Sequence, residues 1–430
     1  MIKDRPIIEL ISDPNWTEIS TAGRVLSFSK LGNISFGKII DATGEFQFSL
    51  KKQTLGESYK TICSSITRGK HIAITGNRWT TGSGQDTIDV VSLTVVQEAH
   101  SGMIGSWEGL NDPEKVYRAR YRETSVDTEA AKVFLTQSKI IWAIRKFLIE
   151  RHHFVEVETP ILTSASCGAS AKPFITHSES FDKDYYLRIA PEIALKTQLS
   201  GGFDKLFELG KSFRNEGNSR SHVNEILTIE WYQAYIDYLD NKVLFLELLG
   251  VLLNSIGFYD GLVPYNGGTL DFNNIPTVLY RDLFAAAGYD SPDTMSAQNA
   301  DELFKKHIRP TLLSPVIVQD YPARMSPLAK RRDDDPNTAE QWQFIVDGVE
   351  LCKCYTELVD PILQRQLLED QMSQRDNGDA EAMMIDESFL SCMEYGIPNC
   401  SGLGLGISRL VAILTDKRNI RDVIFFPMMG

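Results

Sequence analysis

The sequence predicts an α+β protein in two parts: a small N-terminal β-barrel of the OB type, then a larger domain with an antiparallel sheet flanked by helices. Three observations lead there. The chain has 430 residues, too many for one ordinary core. Residues 19–98 carry short β-branched stretches separated by turn signals. From about residue 127 helical periodicity appears and alternates with strand patterns.

In the first part, Phe46, Phe48 and Leu50 alternate with Gln47, Ser49 and Lys51. Residues 71–75 and 89–96 are further short strands, with turn signals at 41–44 and 81–84. Several short strands in about 80 residues fit a small closed barrel. The polar stretch 100–112 and the charged stretch 114–123 read as a linker. The expected organisation is therefore a barrel over 1–99, a linker over 100–126 and a second domain over 127–430. There, Ile140, Ile141, Ile144, Phe147 and Leu148 recur at helical spacing. A period-two strand over 154–160 ends at a proline. Residues 242–256 read as a helix, and long strands surround 203–235. The charged stretches 331–335 and 371–380 read as solvated loops.

Composition narrows the function. Hydrophobic content of 43% and charged content of 23% are those of a soluble globular chain. A net charge of −13 argues against broad nonspecific nucleic-acid binding but is compatible with a local basic face. Six cysteines without framework spacing point to a reduced, cytoplasmic compartment. Cys352 and Cys354 have no second pair at zinc-like spacing. The N-terminal residues lack the apolar core of a signal peptide, and no run approaches the ~20 apolar residues of a membrane span.

Chemistry concentrates in two stretches. Residues 213–217 (FRNEG), with Arg220, His222 and Glu225, pack cations, carboxylates and a glycine together. That charge density points to a ligand. Residues 402–409 (GLGLGISR) are the second stretch. Arg214 and Arg409 offer planar forks suited to phosphate oxygens. Reaction at phosphorus needs electrostatic stabilisation more than covalent help, and a carboxylate nucleophile needs no general base. No Ser/His/Asp or Cys/His arrangement stands out, there is no P-loop, and the glycine run is not a dinucleotide fingerprint. Taken alone, that run also fits plain tight packing.

Together these stretches resemble the class II aminoacyl-tRNA synthetases, and within them the lysyl enzymes of bacterial type. Residues 147–160 (FLIERHHFVEVETP) resemble motif 1, 213–232 (FRNEGNSRSHVNEILTIEWY) motif 2, and 402–409 motif 3. Residues 186–196 (YLRIAPEIALK), 326–330 (SPLAK) and 420–427 (IRDVIFFP) resemble lysyl-type signatures. The match runs from about residue 20 to the end. It implies an anticodon-reading OB domain, a class II synthetase catalytic domain and a homodimer joined through motif 1. It implies ATP-dependent activation of lysine and transfer to tRNA, with ATP and Mg²⁺ as cofactors. Arg214 would hold the α-phosphate and Arg409 the γ-phosphate, with Glu216, His222, Ile226 and Glu350 placing ATP. Gly168, Glu192 and Glu230 would receive the α-amino group, and Tyr232 and Glu357 the ε-ammonium. Lys353, Tyr355 and Gly404 would line the same pocket. Phe36 would stack on an anticodon base, with Arg24 and Gln47 as polar readers. An empty pocket holding Glu192, Glu230 and Glu357 would favour a doubly aminated substrate.

The chain departs from the family pattern in the expected site. Ile226 stands where a phenylalanine usually stacks on adenine, and Val223 replaces an asparagine. Gln343 replaces the first of two metal-binding glutamates, of which Glu350 is the second. Arg324 stands at an acidic position. Lys353 and Cys354 replace Asn and Gly, and Ser408 replaces an aspartate. Carboxylate is lost and cation gained, which implies fewer metal ions, with Lys353 or Arg324 supplying charge; Lys353 could instead face the substrate and shift specificity. Two other functions fit parts of the pattern: adenylate formation with a protein or small-molecule acceptor, and a non-catalytic RNA- or ligand-binding paralogue. Phe36 and Gln47 argue against the first, and Arg214, Glu216 and Arg409 against the second.

Overall fold

The computed structural model describes residues 3–13, 15–100, 103, 112–217 and 219–429. Most of the expected linker, 101–102 and 104–111, lies outside the described residues. The chain divides into two compact units, Met1–Leu135 with Phe425–Met429, and Thr136–Ile424.

The first unit holds a closed barrel of five strands: β1 (Glu18–Leu31), β2 (Ile34–Asp41), β3 (Gly44–Lys51), β4 (His71–Thr80) and β5 (Asp86–Gln97), in the order β1-β2-β3-β5-β4. Period-two patterning builds it. Phe46, Phe48 and Leu50 are buried with Val25, Ile39, Ile72, Ile74, Ile88 and Val90, while Gln47 and Phe36 face outward at half exposure. The turns fall at the expected positions, and closure removes open edges.

The second unit is built on an eight-stranded sheet. Its strands are β6 (Val155–Glu156), β7 (Lys205–Phe213), β8 (Glu225–Ala234), β9 (Thr277–Leu279), β10 (Val316–Gln319), β11 (Gln341–Val346), β12 (Val349–Thr356) and β13 (Cys400–Gly406). The order is β9-β10-β11-β12-β13-β8-β7-β6. It is antiparallel except at its margins, where β9–β10 and β6–β7 pair parallel. The strand expected over 154–160 is shorter than its pattern suggested. Only Val155 and Glu156 pair with β7, and Val157 adds one bond to Phe207 O at 2.9 Å. The helical run at 140–148 belongs to α1 (Thr128–Lys146), which continues as a π-helical turn, Phe147–Arg151.

One face of the sheet is closed by α2 (Tyr238–Ser255). A capping box starts it: Asp237 accepts from the amides of Leu239 and Asp240, and Asp240 accepts from Asp237 N. Phe245 packs on Trp342 and Phe344 with ring centroids 5.4 and 5.2 Å apart. A buried polar chain crosses this layer: Trp231 Nε1 donates to Asn241 Oδ1 (2.8 Å), Asn241 Nδ2 to Ser401 Oγ (3.0 Å), and Ser401 Oγ to Tyr355 O (2.9 Å). The opposite face of β8, β13, β12 and β11 carries the cleft.

The charged stretches are more structured than their composition suggested. Arg332 donates to Asp320 at 2.9 Å and also pairs with Asp334. Gln371, Gln374 and Asp379 stand at the cleft margin. All six cysteines are free thiols. No described helix is long and apolar enough to cross a membrane.

Candidate active site

Strand register lays out the cleft, about 1,020 Å³ in volume, row by row. Tyr232 pairs with Gly402, which pairs with Tyr355. One pleat along, Glu230 pairs with Gly404, which pairs with Lys353, which pairs with Gln343. Thr228 opposite Gly406 forms the next row, and Ile226 lies beyond it. Residues two apart share a face. The side chains expected from motif 2, motif 3 and the hairpin β11–β12 therefore meet on one surface.

At one end lies a buried acidic pocket. Glu192, Glu230 and Glu357 are all under a tenth exposed. It is not empty of cations, as the sequence led one to expect. Lys196, one turn after Glu192 on the helix Glu192–Leu199, donates to Glu192 Oε1 at 2.6 Å and forms an ion pair with Glu357. Tyr355 OH donates to Glu192 at 2.6 Å, and Tyr232 OH to Glu230 at 3.2 Å. Glu192 and Glu357 thus share one ammonium, while Glu230 is held by Tyr232 OH. Neither Glu357 oxygen has a hydrogen bond of good geometry among the described residues, although Oε2 sits against Lys196 Nζ. The ion pair is the firmer observation, since a charged contact tolerates poor angles. The other oxygen, Oε1, points across Gly402, where a Cβ would stand 2.4 Å from it and 2.2 Å from the Tyr232 ring. Only glycine fits there. Gly168, at φ +97°, abuts Glu192 and Ile193. Burial, and next the Glu192 charge, push Glu230 up to about 8. Burial raises Glu357 as well, against the opposing pull of Lys196.

At the other end the charge inverts. Arg214 follows the last residue of β7, and its loop is held by Asn224, whose Nδ2 donates to Arg214 O (3.0 Å) and Glu216 O (2.8 Å). Arg409 projects from the first turn of the helix Ile407–Leu414. It donates from Nε to Ser221 O (3.2 Å) and from Nη1 to Glu350 O (2.9 Å), joining three segments. Arg214, Glu216, His222, Ile226, Glu350 and Arg409 all line the cleft. His222 accepts or donates at Nδ1 with Ser219 and Ser221. Burial, then Arg409, Arg309 and Arg214, hold it down to about 4. Burial also lowers Arg409, with Arg214 and Arg309 adding to it against Glu350. Arg220 and Glu225 stand outside the cleft; Glu225 pairs with Lys211 at 2.8 Å.

Gln343 and Glu350 are both at the cleft, but Gln343 Oε1 accepts from Tyr321 OH at 2.7 Å. That leaves Glu350 as the carboxylate of the pair. One carboxylate plus phosphate oxygens is a donor set a Mg²⁺ ion accepts. No group of three metal-ligating side chains occurs among the described residues. Lys353 is half-buried, and its ammonium lies 5.5 Å from the Tyr355 ring centroid. Arg324 is engaged by Pro292 O and by Asp293 at 4.0 Å. Val223 and Ser408 are buried. Cys354 is buried on the far face beside Ser401.

On the barrel, Phe36 stacks on Trp79 (6.1 Å, 19°), whose ring also carries Lys51 Nζ at 3.5 Å. Gln47, one strand over, donates to Thr87 Oγ1 at 2.8 Å. Arg24 is not gathered with them. It pairs in register with Ile40 and His71, and its Nε donates to Gly69 O at 2.9 Å.

Sequence reasoning left several cleft residues unassigned. Lys196 had a signal, an i,i+4 partner on the helix of Glu192. Asn224 had a weak one, being inside motif 2. Arg309, Tyr321 and Asp301 come from a region with no readable motif.

Comparison with known proteins agrees with this layout. Residues 112–430 match the family model of class II tRNA synthetases (D, K and N). A lysine–tRNA ligase of Moorella thermoacetica is 37% identical over 96% of this chain and 88% of its own length. One of Clostridium tetani is 35% identical over 96% and 87%, and one of Aquifex aeolicus 36% over 97% and 74%. On these matches, over most of its length, the chain belongs to the class II tRNA synthetases, within the lysine–tRNA ligase family.

Proposed function

We propose that the protein activates lysine with ATP, forming lysyl-adenylate and diphosphate, and transfers lysine to the 3′ end of tRNA. The observation that carries this reading is the buried trio Glu192, Glu230 and Glu357, in which Glu192 and Glu357 share the ammonium of Lys196 and Glu230 is held by Tyr232 OH. A pocket with more carboxylate than cation favours a ligand with two amino groups. In this reading Glu192, Glu230 and Gly168 receive the α-amino group, and Glu357 Oε1 and Tyr232 receive the ε-ammonium. Tyr355 orients Glu192, and Gly404 leaves the space above Glu230 free.

The chemistry follows from the two ends of the cleft. A substrate carboxylate oxygen attacks the α-phosphorus, the bond to the bridging oxygen breaks, and diphosphate leaves with the electron pair. Both reactants are anions, so Arg214 lowers the barrier by holding the α-phosphate as charge redistributes. Arg409, already fixed by Ser221 and Glu350, grips the terminal phosphates. Lys353, between the acidic pocket and the arginines, is placed to meet the carboxylate of the amino acid. Mg²⁺, when bound at Glu350, would neutralise phosphate charge; Gln343 positions Tyr321 instead of a second ion. Ile226 packs on adenine without an aromatic face, and His222 and Glu216 place the nucleotide.

The barrel (1–99) is proposed to read the anticodon through Phe36 and Gln47, with Arg24 adding a cation, ahead of a linker (100–126) and a catalytic domain (127–430). A homodimer is supported by Trp142 at 66% exposure on α1, just before motif 1, and by Ile149 and Val155 on the motif 1 segment, all apolar and exposed. A cytoplasmic location accords with the free thiols. The test is amino-acid-dependent ATP–diphosphate exchange with all twenty amino acids, followed by tRNA charging. Exchange with an amino acid other than lysine would overturn the specificity, and exchange without charging would overturn tRNA as the acceptor.

A further inference from the structure

Arg309 lies in a segment with no motif, where the π-helical turn Phe304–Ile308 passes into the 3-10 turn Arg309–Thr311. The segment is firmly mounted on the tip of the β11–β12 hairpin. Asp347 N donates to Leu313 O (3.0 Å) and Gly348 N to Leu312 O (2.9 Å). A Cβ on Gly348 would stand 3.0 Å from Pro310 Cα, so the two backbones are in close contact. The Arg309 side chain lines the cleft, and its Nε is buried without a hydrogen-bond partner among the described residues. The same holds for Arg214 Nε.

Around Arg309 several guanidinium groups converge on the cleft. Arg309 acts electrostatically on both His222 and Arg409, as Arg214 does. Glu350 and Glu216 act against these cations, and Asp301 acts against Arg309 at Tyr321. Three guanidinium groups in reach of one another repel, and buried donors without acceptors are costly. A polyanionic ligand removes both penalties. The location selects which part of it. The segment abuts the turn that begins β12, whereas Glu357 lies past the end of β12, about 26 Å away at strand rise. Arg309 is therefore at the end of the cleft remote from the amino acid.

We propose that Arg309 is a third phosphate-gripping guanidinium, holding the diphosphate part of ATP as it becomes the leaving group. This rests on the lysine-activating reading of the cleft and deepens it. As the α-phosphorus–oxygen bond breaks, negative charge moves onto the diphosphate, and Arg309 stabilises it there.

The test compares Arg309→Ala and Arg309→Lys with the wild type in the full-length protein, Mg²⁺ present throughout. Calorimetry measures binding of ATP, diphosphate and AMP, and exchange kinetics follow with lysine. Arg309→Ala is expected to weaken ATP and diphosphate about ten- to a hundred-fold, the range of one charge-assisted hydrogen bond. AMP and lysine affinities and the melting temperature stay at wild-type values, and Arg309→Lys recovers part of the loss. Unchanged ATP and diphosphate affinity in Arg309→Ala would overturn the assignment. So would an equal loss for AMP, which marks a merely structural role. A wild type that binds these nucleotides but does not exchange with lysine would sink the lysine reading, while the binding series still decides Arg309.

Discussion

Glu230 shows how single side chains set the pH behaviour of the pocket. Burial, with Glu192 next, raises it to about 8, so it is largely protonated at pH 7 in the free protein. An arriving ammonium favours the ionised form. Lysine binding at pH 7 is therefore expected to release a proton, measurable by calorimetry in buffers of different ionisation enthalpy, and Glu230→Gln should abolish the release. The stability linkage runs in the matching direction. A raised carboxylate contributes fully below its ordinary 4.5, and that contribution is lost as pH rises through about 8. His222 has the opposite sign. Held down to about 4, it contributes stability above 6.5 that is lost as pH falls through 4, and ATP binding should raise it and take up a proton. Glu357→Gln should lower kcat/KM for lysine by about thirty-fold or more, in line with about 2–5 kcal/mol for truncating one partner of a buried charge pair. Exchange kinetics check this, and a loss in ATP KM instead would contradict it.

At the level of elements, α2 is coupled to the sheet by Trp231, Asn241 and Ser401. Asn241 is fully buried. Asn241→Leu leaves the Trp231 N–H and Ser401 without their partner and should cost about 1–3 kcal/mol in urea unfolding. The KM values should hardly change, because α2 covers the face opposite the cleft. Elements of strong periodicity were legible in the sequence: the barrel strands, the helix expected at 242–256 and found at Tyr238–Ser255, and the long strands around 203–235. So were the cleft residues on β8, β12 and β13, because motif spacing of two or four keeps side chains on one face. The strand at 154–160 was overestimated because its alternation reports exposure, while pairing depends on a neighbour of sufficient length. Lys196 and Arg309 were missed for a different reason. Ion pairing across 161 residues, as between Lys196 and Glu357, leaves no local pattern, and an arginine in an unpatterned turn looks like any surface cation.

For the whole molecule, the two proposed tasks should separate by mutation. Phe36→Ala is expected to raise the KM for tRNA about ten-fold, within the roughly 1–3 kcal/mol of one base–aromatic stack, and to leave ATP–diphosphate exchange unchanged. Charging and exchange assays side by side check it; a matching loss in exchange would show that Phe36 supports the fold and not the RNA. Trp142→Glu should shift a dimer to monomer in sedimentation experiments, since a large exposed aromatic at an interface centre contributes about 2 kcal/mol or more. An unchanged sedimentation profile would remove the motif 1 face as the contact.

The register irregularity between Phe344 and Ile345 fixes the phase of the β11–β12 hairpin. Lys353 and Tyr355 face the cleft only in that phase, and a slip of one residue would turn Cys352 and Cys354 into it. Recombination between relatives thus has a natural unit here. A chimera that exchanges 341–357 as one block preserves the phase, whereas a crossover or single-residue deletion inside it exchanges a polar cleft surface for thiols.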